Sequence, residues 1–166
     1  MNKVNNLSNE QIHEIVENID MGEVCYINVN TGETVLMLNE EILSDYGISW
    51  EDDDEDEKPD DDSPEWQKEI YADVKADMKK INSWNSDDTI RIEKPEPHEA
   101  FKFMERFVDE VIPEGKLKQD FWTALSRSHP FRNFNAIIHN CEYRENWFEF
   151  KQNALEEYVR NEIADR

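Results

Sequence analysis

Arg132, Asn135 and His139 stand at i, i+3 and i+7 of a segment that follows Pro130, so a helix there would line up a guanidinium, an amide and an imidazole on one face. An arginine fork grips a carboxylate or phosphate through two parallel hydrogen bonds, and an imidazole can donate or accept beside it. Arg127, His129 and Arg144 flank the segment in sequence and extend its cationic character. The chemistry that suits this set is recognition of an anionic group on a partner. A packing account competes with it, in which Arg132 pairs with Glu142 or Glu145 while the nearby aromatics make core.

Other chemistries lack their residues. His139-Asn140-Cys141 could suggest a thiol nucleophile, but positions two apart on a helix point to different sides, and His13 and His98 are remote in sequence. No His-Glu-x-x-His, Cys-x-x-Cys, Gly-x-Ser-x-Gly or phosphate loop occurs. Asp52, Asp54 and Asp56 alternate as in a calcium loop, yet Glu57 replaces the glycine of the turn, Ser63 replaces the closing glutamate, and Pro59 intrudes. Glu142, Glu145 and Glu149 read as surface carboxylates. No catalytic residue, metal ligand or cofactor is assigned.

The elements that must position the polar face follow from the pattern. Ser8-Asn9-Glu10-Gln11 is a capping box, and Ile12, Ile15, Val16 and Ile19 then line one helical face. Val24–Val29 and Glu33–Leu38 flank Asn30-Thr31-Gly32, the signature of a bulged hairpin, and Thr89-Ile90-Arg91-Ile92 could add a third strand. Ser63-Pro64-Glu65 offers an N-cap and a first-turn proline to a helix in which Trp66, Ile70, Val74 and Met78 recur every fourth residue, ending near Ile81. Beyond Pro97 helices follow one another. Phe101, Met104, Val108 and Val111 form one face, and Pro113-Glu114-Gly115 breaks it. Leu117, Phe121 and Leu125 form the next, and Phe131, Phe134, Ile137 and Ile138 a short one. Phe148, Leu155, Val159 and Ile163 form the last, supported by Glu156–Arg160 and Glu162–Arg166 pairs. Phe131, Phe134, Trp147 and Phe150 are the aromatics expected to hold the polar face in register.

These readings predict an α+β protein: an N-terminal helix and a small antiparallel β-hairpin or three-stranded sheet, with a C-terminal helical bundle. Residues 1–97 form an acidic α+β lobe containing a flexible acidic segment at 51–62, and 98–166 a helical lobe, together one compact unit. With 166 residues and 37% apolar content the chain can bury a real core. Its net charge of −22 is uneven: residues 1–97 hold 27 acids and 8 bases (−19), and 98–166 hold 13 and 10 (−3). Such a charge opposes nucleic-acid phosphates and anionic membranes, and favours a basic protein partner or solubility alone. Cys25 and Cys141 have neither the number nor the spacing of a disulfide framework or zinc site and read as reduced and buried. With no signal segment or membrane span in the sequence, the expectation is cytoplasmic residence.

Tyr26-Ile27-Asn28-Val29-Asn30-Thr31-Gly32-Glu33, Phe103-Met104-Glu105-Arg106-Phe107, Phe131-Arg132-Asn133-Phe134 and Trp147-Phe148-Glu149-Phe150 carry a resemblance. By these segments the chain resembles the bacterial uncharacterised protein family zero-one-five-eight. The resemblance implies a hairpin joined to a helical C-terminal half and brings no activity, cofactor or oligomeric state. It also implies a more basic segment in relatives, with arginine and lysine where this chain has Asn133 and Asn135, which weakens a phosphate-binding reading. The acidic block and the helix after it look like an enlargement of a shorter region of the family.

The functional expectation is a non-enzymatic protein-interaction or regulatory module. A hydrolase acting on a small or phosphorylated substrate is the alternative, and a single-stranded nucleic-acid binder the third reading. An enclosed pocket with convergent polar groups would favour chemistry, and a shallow patch would favour docking. Glu51–Asp62, with ten acids and one lysine, repels itself and reads as a solvated connector. Its deletion should leave salt-sensitive capture of basic proteins from lysate unchanged; weakened capture would make it a docking segment instead.

Overall fold

The computed structural model describes residues 7–50 and 58–165. Most of the acidic block, with Asp52, Asp54 and Asp56 of the calcium-like pattern, lies outside the described residues, as does Arg166 of the expected Glu162–Arg166 pair. The chain forms two compact units, Met1–Lys94 with Val159–Arg166, and Pro95–Tyr158. The architecture is α+β: a helix, a three-stranded antiparallel sheet, and a helical C-terminal part.

In the first unit α1 (Asn9–Asp20) begins with the expected capping box: the Ser8 hydroxyl accepts from Gln11 N at 3.1 Å, and the Gln11 side chain accepts from Ser8 N at 2.9 Å. Ile12, Ile15, Val16 and Ile19 are buried on its inner face. β1 (Val24–Asn28) and β2 (Thr34–Met37) make the hairpin. Asn28 shapes its loop, its side-chain oxygen accepting from Asn30 N at 3.0 Å and Thr31 N at 3.3 Å. Gly32 takes φ 74°, a left-handed conformation that costs glycine little. β3 (Thr89–Ile92) pairs with β1, giving the order β2-β1-β3 with Tyr26 opposite Arg91 and Ile27 opposite Ile90.

Strand alternation puts Cys25, Ile27, Ile90 and Ile92 on one face, all buried. The other face carries Tyr26, Val35 and Met37, and there Val74, Met78 and Ile81 of α3 (Glu65–Asn82) join Leu43 and Ile48 in one apolar cluster. Leu43 belongs to α2 (Glu40–Asp45), a short helix the sequence reading did not mark. Its signal was present: Asn39 caps Ile42 N at 3.0 Å, and Glu40 and Glu41 occupy the positive end of the helix. Two details of α3 correct the expectation. Ser63 does not cap it, because its hydroxyl donates to Asp60 Oδ1 and accepts from Asp60 N, both at 3.0 Å, so Pro64 becomes the cap residue. Trp66 lies where the apolar stripe leaves the core, 54% exposed and edge-on to Tyr46 at 6.3 Å.

The second unit holds α4 (Pro97–Val111), α5 (Lys116–Ser126), α6 (Pro130–Ile138) and most of α7 (Arg144–Ala164). Gly115 makes the sharp entry to α5 at φ 148°. Lys118 folds back over that turn, donating to Glu114 Oε1 at 3.0 Å and Asp109 O at 3.1 Å, which lets its ammonium be buried. Phe107, Phe121 and Phe134 are fully buried and, with Trp147, form an aromatic core. Phe107 lies 6.2 Å from Phe134, 5.2 Å from Trp147 and 5.5 Å from Phe150, and Phe134 lies 4.8 Å from Trp147.

Edge-to-face aromatic packing adds to area burial, and truncating such a ring leaves a cavity its neighbours fill poorly. Phe134→Ala should therefore cost about 3–5 kcal/mol by denaturant unfolding. A loss below about 1 kcal/mol would place Phe134 outside the core.

Candidate functional site

Pro130 fixes the first turn of α6, and His129 before it takes a left-handed backbone, φ 58° and ψ 53°. Non-glycine residues reach this region at a cost, and His is among those that tolerate it. The turn is held from inside by Asn133, whose side-chain amide donates to Ser128 O at 2.9 Å and Ala124 O at 3.2 Å. In place of an arginine this position thus holds an amide that ties α6 to the end of α5.

With Phe134 and Ile138 turned into the core, the opposite face of α6 carries Arg132, Asn135 and His139, and all three are exposed. They span about 10 Å along the axis. Arg127, His129 and Arg144 are exposed as well. Arg127 and Arg132 have no ion-pair partner among the described residues, so the pairing of Arg132 with Glu142 or Glu145 does not form. Glu145 instead approaches Arg144 at 3.8 Å, and the Arg144 guanidinium lies 5.0 Å from the centre of the Phe148 ring. Phe134, Trp147 and Phe150 pack together, whereas Phe131 stands outside the core and is 39% exposed.

The sequence reading contains nothing of a second candidate site, an open cleft of about 440 Å³ in the first unit. Tyr26 and Trp50 line it with rings 5.4 Å apart, Leu43 and Ile48 supply its deepest side chains, and Glu40 and Arg91 stand at its edge. Arg91 donates from Nε to Tyr26 Oη at 3.3 Å, pairs through Nη1 with Glu93 at 3.2 Å, and meets Glu40 only at 3.7 Å. Partial burial alone would lower its pKa; the Tyr26 hydroxyl and Glu93 more than offset that and hold it above the ordinary value. Among the described residues no cluster of three or more His, Cys, Asp or Glu is placed to hold a metal ion. No described helix is long and apolar enough to cross a membrane.

The family model described as Uncharacterised protein family (UPF0158) matches residues 64–165. That range contains the Phe-Arg-x-Phe and Trp-x-x-Phe segments and the α6 face. It also contains α3, so this helix belongs to the matched region, while the hairpin precedes it. No curated protein and no solved structure matches the chain.

Both thiols are free. Cys141 is half-buried, with its sulfur accepting from Tyr143 N at 3.3 Å, and so is less enclosed than the sequence implies. Cys25 is fully buried on the sheet, and burial, aided by the Glu14 carboxylate, pushes its thiol from an ordinary 9.0 up to about 12. A raised folded-state value means that the stability held by the neutral thiol is complete below pH 9.0 and is lost as pH rises toward about 12. Cys25→Ala should flatten this alkaline fall in unfolding free energy, and native Cys25 should alkylate far more slowly than Cys141. Equal labelling of both thiols in the native chain would contradict that account.

Proposed function

This chain belongs to the Uncharacterised protein family (UPF0158), and from that footing we propose that it is a non-enzymatic protein-interaction or regulatory module. It docks a protein partner bearing carboxylates or phosphates on the outward face of α6. The observation that carries this reading is one of charge. The chain has 40 acids against 18 bases, yet from Phe121 to Cys141 it has no acid at all, and Arg127 and Arg132 within that stretch lack ion-pair partners among the described residues. An unpaired guanidinium on a rigid helix keeps its planar fork available, which makes charge-assisted bonds stronger than neutral ones.

Exposed aromatics support the same reading. Phe131 lies next to Arg132 in sequence, and Phe148 lies under Arg144; arginine and aromatic side chains together dominate the energetics of protein interfaces. An outward helix face suits docking better than chemistry, which needs polar groups converging on an enclosed reacting atom. The acidic remainder of the chain disfavours polyanions with dense phosphate and favours a partner that is basic overall, so the carboxylates or phosphates that α6 grips form a local patch on it.

The test compares affinity recovery from native cytosol by the full chain and by the Arg132→Ala/His139→Ala variant. Both side chains are exposed, so the unfolding free energy should change by no more than about 0.5 kcal/mol. A partner with a local anionic patch should be recovered by the intact chain, lost with the variant, released by salt, and partly restored by Arg132→Lys. Unchanged recovery together with lost stability would assign these residues to packing instead.

A further inference from the structure

The cleft belongs to the first unit and shares no residue with the α6 face, and its chemistry points to a different ligand. Its two charged groups are of opposite sign and incompletely satisfied. The Glu40 carboxylate is 73% exposed, and its approach to Arg91 Nη2 at 3.7 Å is longer than a hydrogen bond. Arg91 spends Nε on Tyr26 and Nη1 on Glu93, which leaves Nη2 with donor capacity toward the cleft. Beside this loose pair stand two aromatic rings and two aliphatic side chains, Leu43 and Ile48.

We propose that this cleft binds a small zwitterion, an α-amino acid with an apolar side chain. Its ammonium would sit on Glu40, its carboxylate on Arg91 Nη2, and its side chain between Tyr26 and Trp50 above Leu43 and Ile48. Simpler ligands satisfy the site less well. A cation without a carboxylate meets the Arg91 guanidinium, and an anion without an amine meets Glu40 and Glu93. A neutral apolar molecule would partly desolvate the loose Arg91–Glu40 pair without adding a charge-assisted hydrogen bond to either group. The volume of about 440 Å³ falls within the range of about 300–1,000 Å³ usual for small-molecule sites.

The register of the sheet builds this arrangement. Tyr26 and Arg91 are direct cross-strand partners, so ring and guanidinium emerge side by side on one face. Asn39 anchors α2 through its side chain, donating to Gly22 O at 2.9 Å while capping Ile42 N, and so fixes Glu40, the next residue, at the same edge.

Calorimetric titration of the full chain with L-phenylalanine and L-leucine tests the proposal, with phenethylamine and 3-phenylpropionate as single-charge controls. At least one amino acid should bind saturably, and both controls should bind at least about tenfold more weakly, the loss of one charge-assisted hydrogen bond. Glu40→Gln changes a side chain that is 73% exposed and leaves Glu41 at the start of α2, and it should weaken amino-acid binding by a similar factor. Arg91→Lys, which keeps the charge and loses the fork, should do the same. The proposal fails if neither amino acid binds, if a control binds as well as the amino acid, or if Glu40→Gln leaves affinity unchanged. None of these results bears on the α6 face, which Arg132→Ala/His139→Ala tests by itself.

Discussion

Phe107 sits at the meeting point of three helices of the second unit, and the outward display of the α6 face depends on it. Its ring touches Phe134 of α6 and both Trp147 and Phe150 of α7, while Phe121 of α5 reaches Phe134 at 5.2 Å. Offset and edge-on rings have directional preferences that aliphatic side chains lack, so such a cluster sets the rotation of each helix about its own axis as well as its distance. Once Phe134 is turned inward, helical geometry leaves Arg132, Asn135 and His139 nowhere to point but out. The polar face is a consequence of the aromatic one.

Charge sets the terms on which this core forms. At net −22 the chain repels itself when compact, and apolar burial, among the described residues mostly of Ile, Val and Leu side chains with four aromatics, offsets that repulsion. Acids lie mostly on exposed positions, and several of the bases that enter structure do so by satisfying backbone carbonyls. Lys118 bonds Asp109 O, Lys75 bonds Ser49 O at 3.2 Å, and Lys68 bonds Asp61 O at 3.2 Å. Lysines used this way close turns and helix ends. The arginines of the 121–141 stretch do no comparable internal bonding among the described residues, which leaves their forks to solvent or to a partner.

Local signals made much of the fold legible in the sequence. The capping box, the Asn30-Thr31-Gly32 hairpin, the Pro113-Glu114-Gly115 break and the helix after Pro130 each depend on residues only a few positions apart, and each is present. At Ser63 two acceptable hydrogen-bond schemes compete for one hydroxyl, and the turn with Asp60 wins over the helix cap that the local sequence suggests. α2, at six residues, is too short to show a 3.6-residue period, although Asn39 and two following glutamates mark its start. Phe131 looked like core by type alone, but on α6 it falls beside the outward face. The polar face was legible as a spacing, because one helix supplies it.

The cleft could not be read in that way, and the reason lies in strand pairing. Its ring and its guanidinium come from Tyr26 and Arg91, brought together only by the β1–β3 register, and Glu40 arrives from a helix fixed by a third segment. A strand alternates its side chains with a period of two, so a slip of one residue between β1 and β3 would turn Arg91 to the opposite face, against the buried Cys25 and Ile27, and empty the cleft of its cation. What prevents the slip is apolar: Ile90 and Ile92 must reach the buried face, where they pair with Ile27 and Cys25. The position of a charged group at the cleft is therefore enforced by two isoleucines that never touch it, just as the α6 face is enforced by rings beneath it.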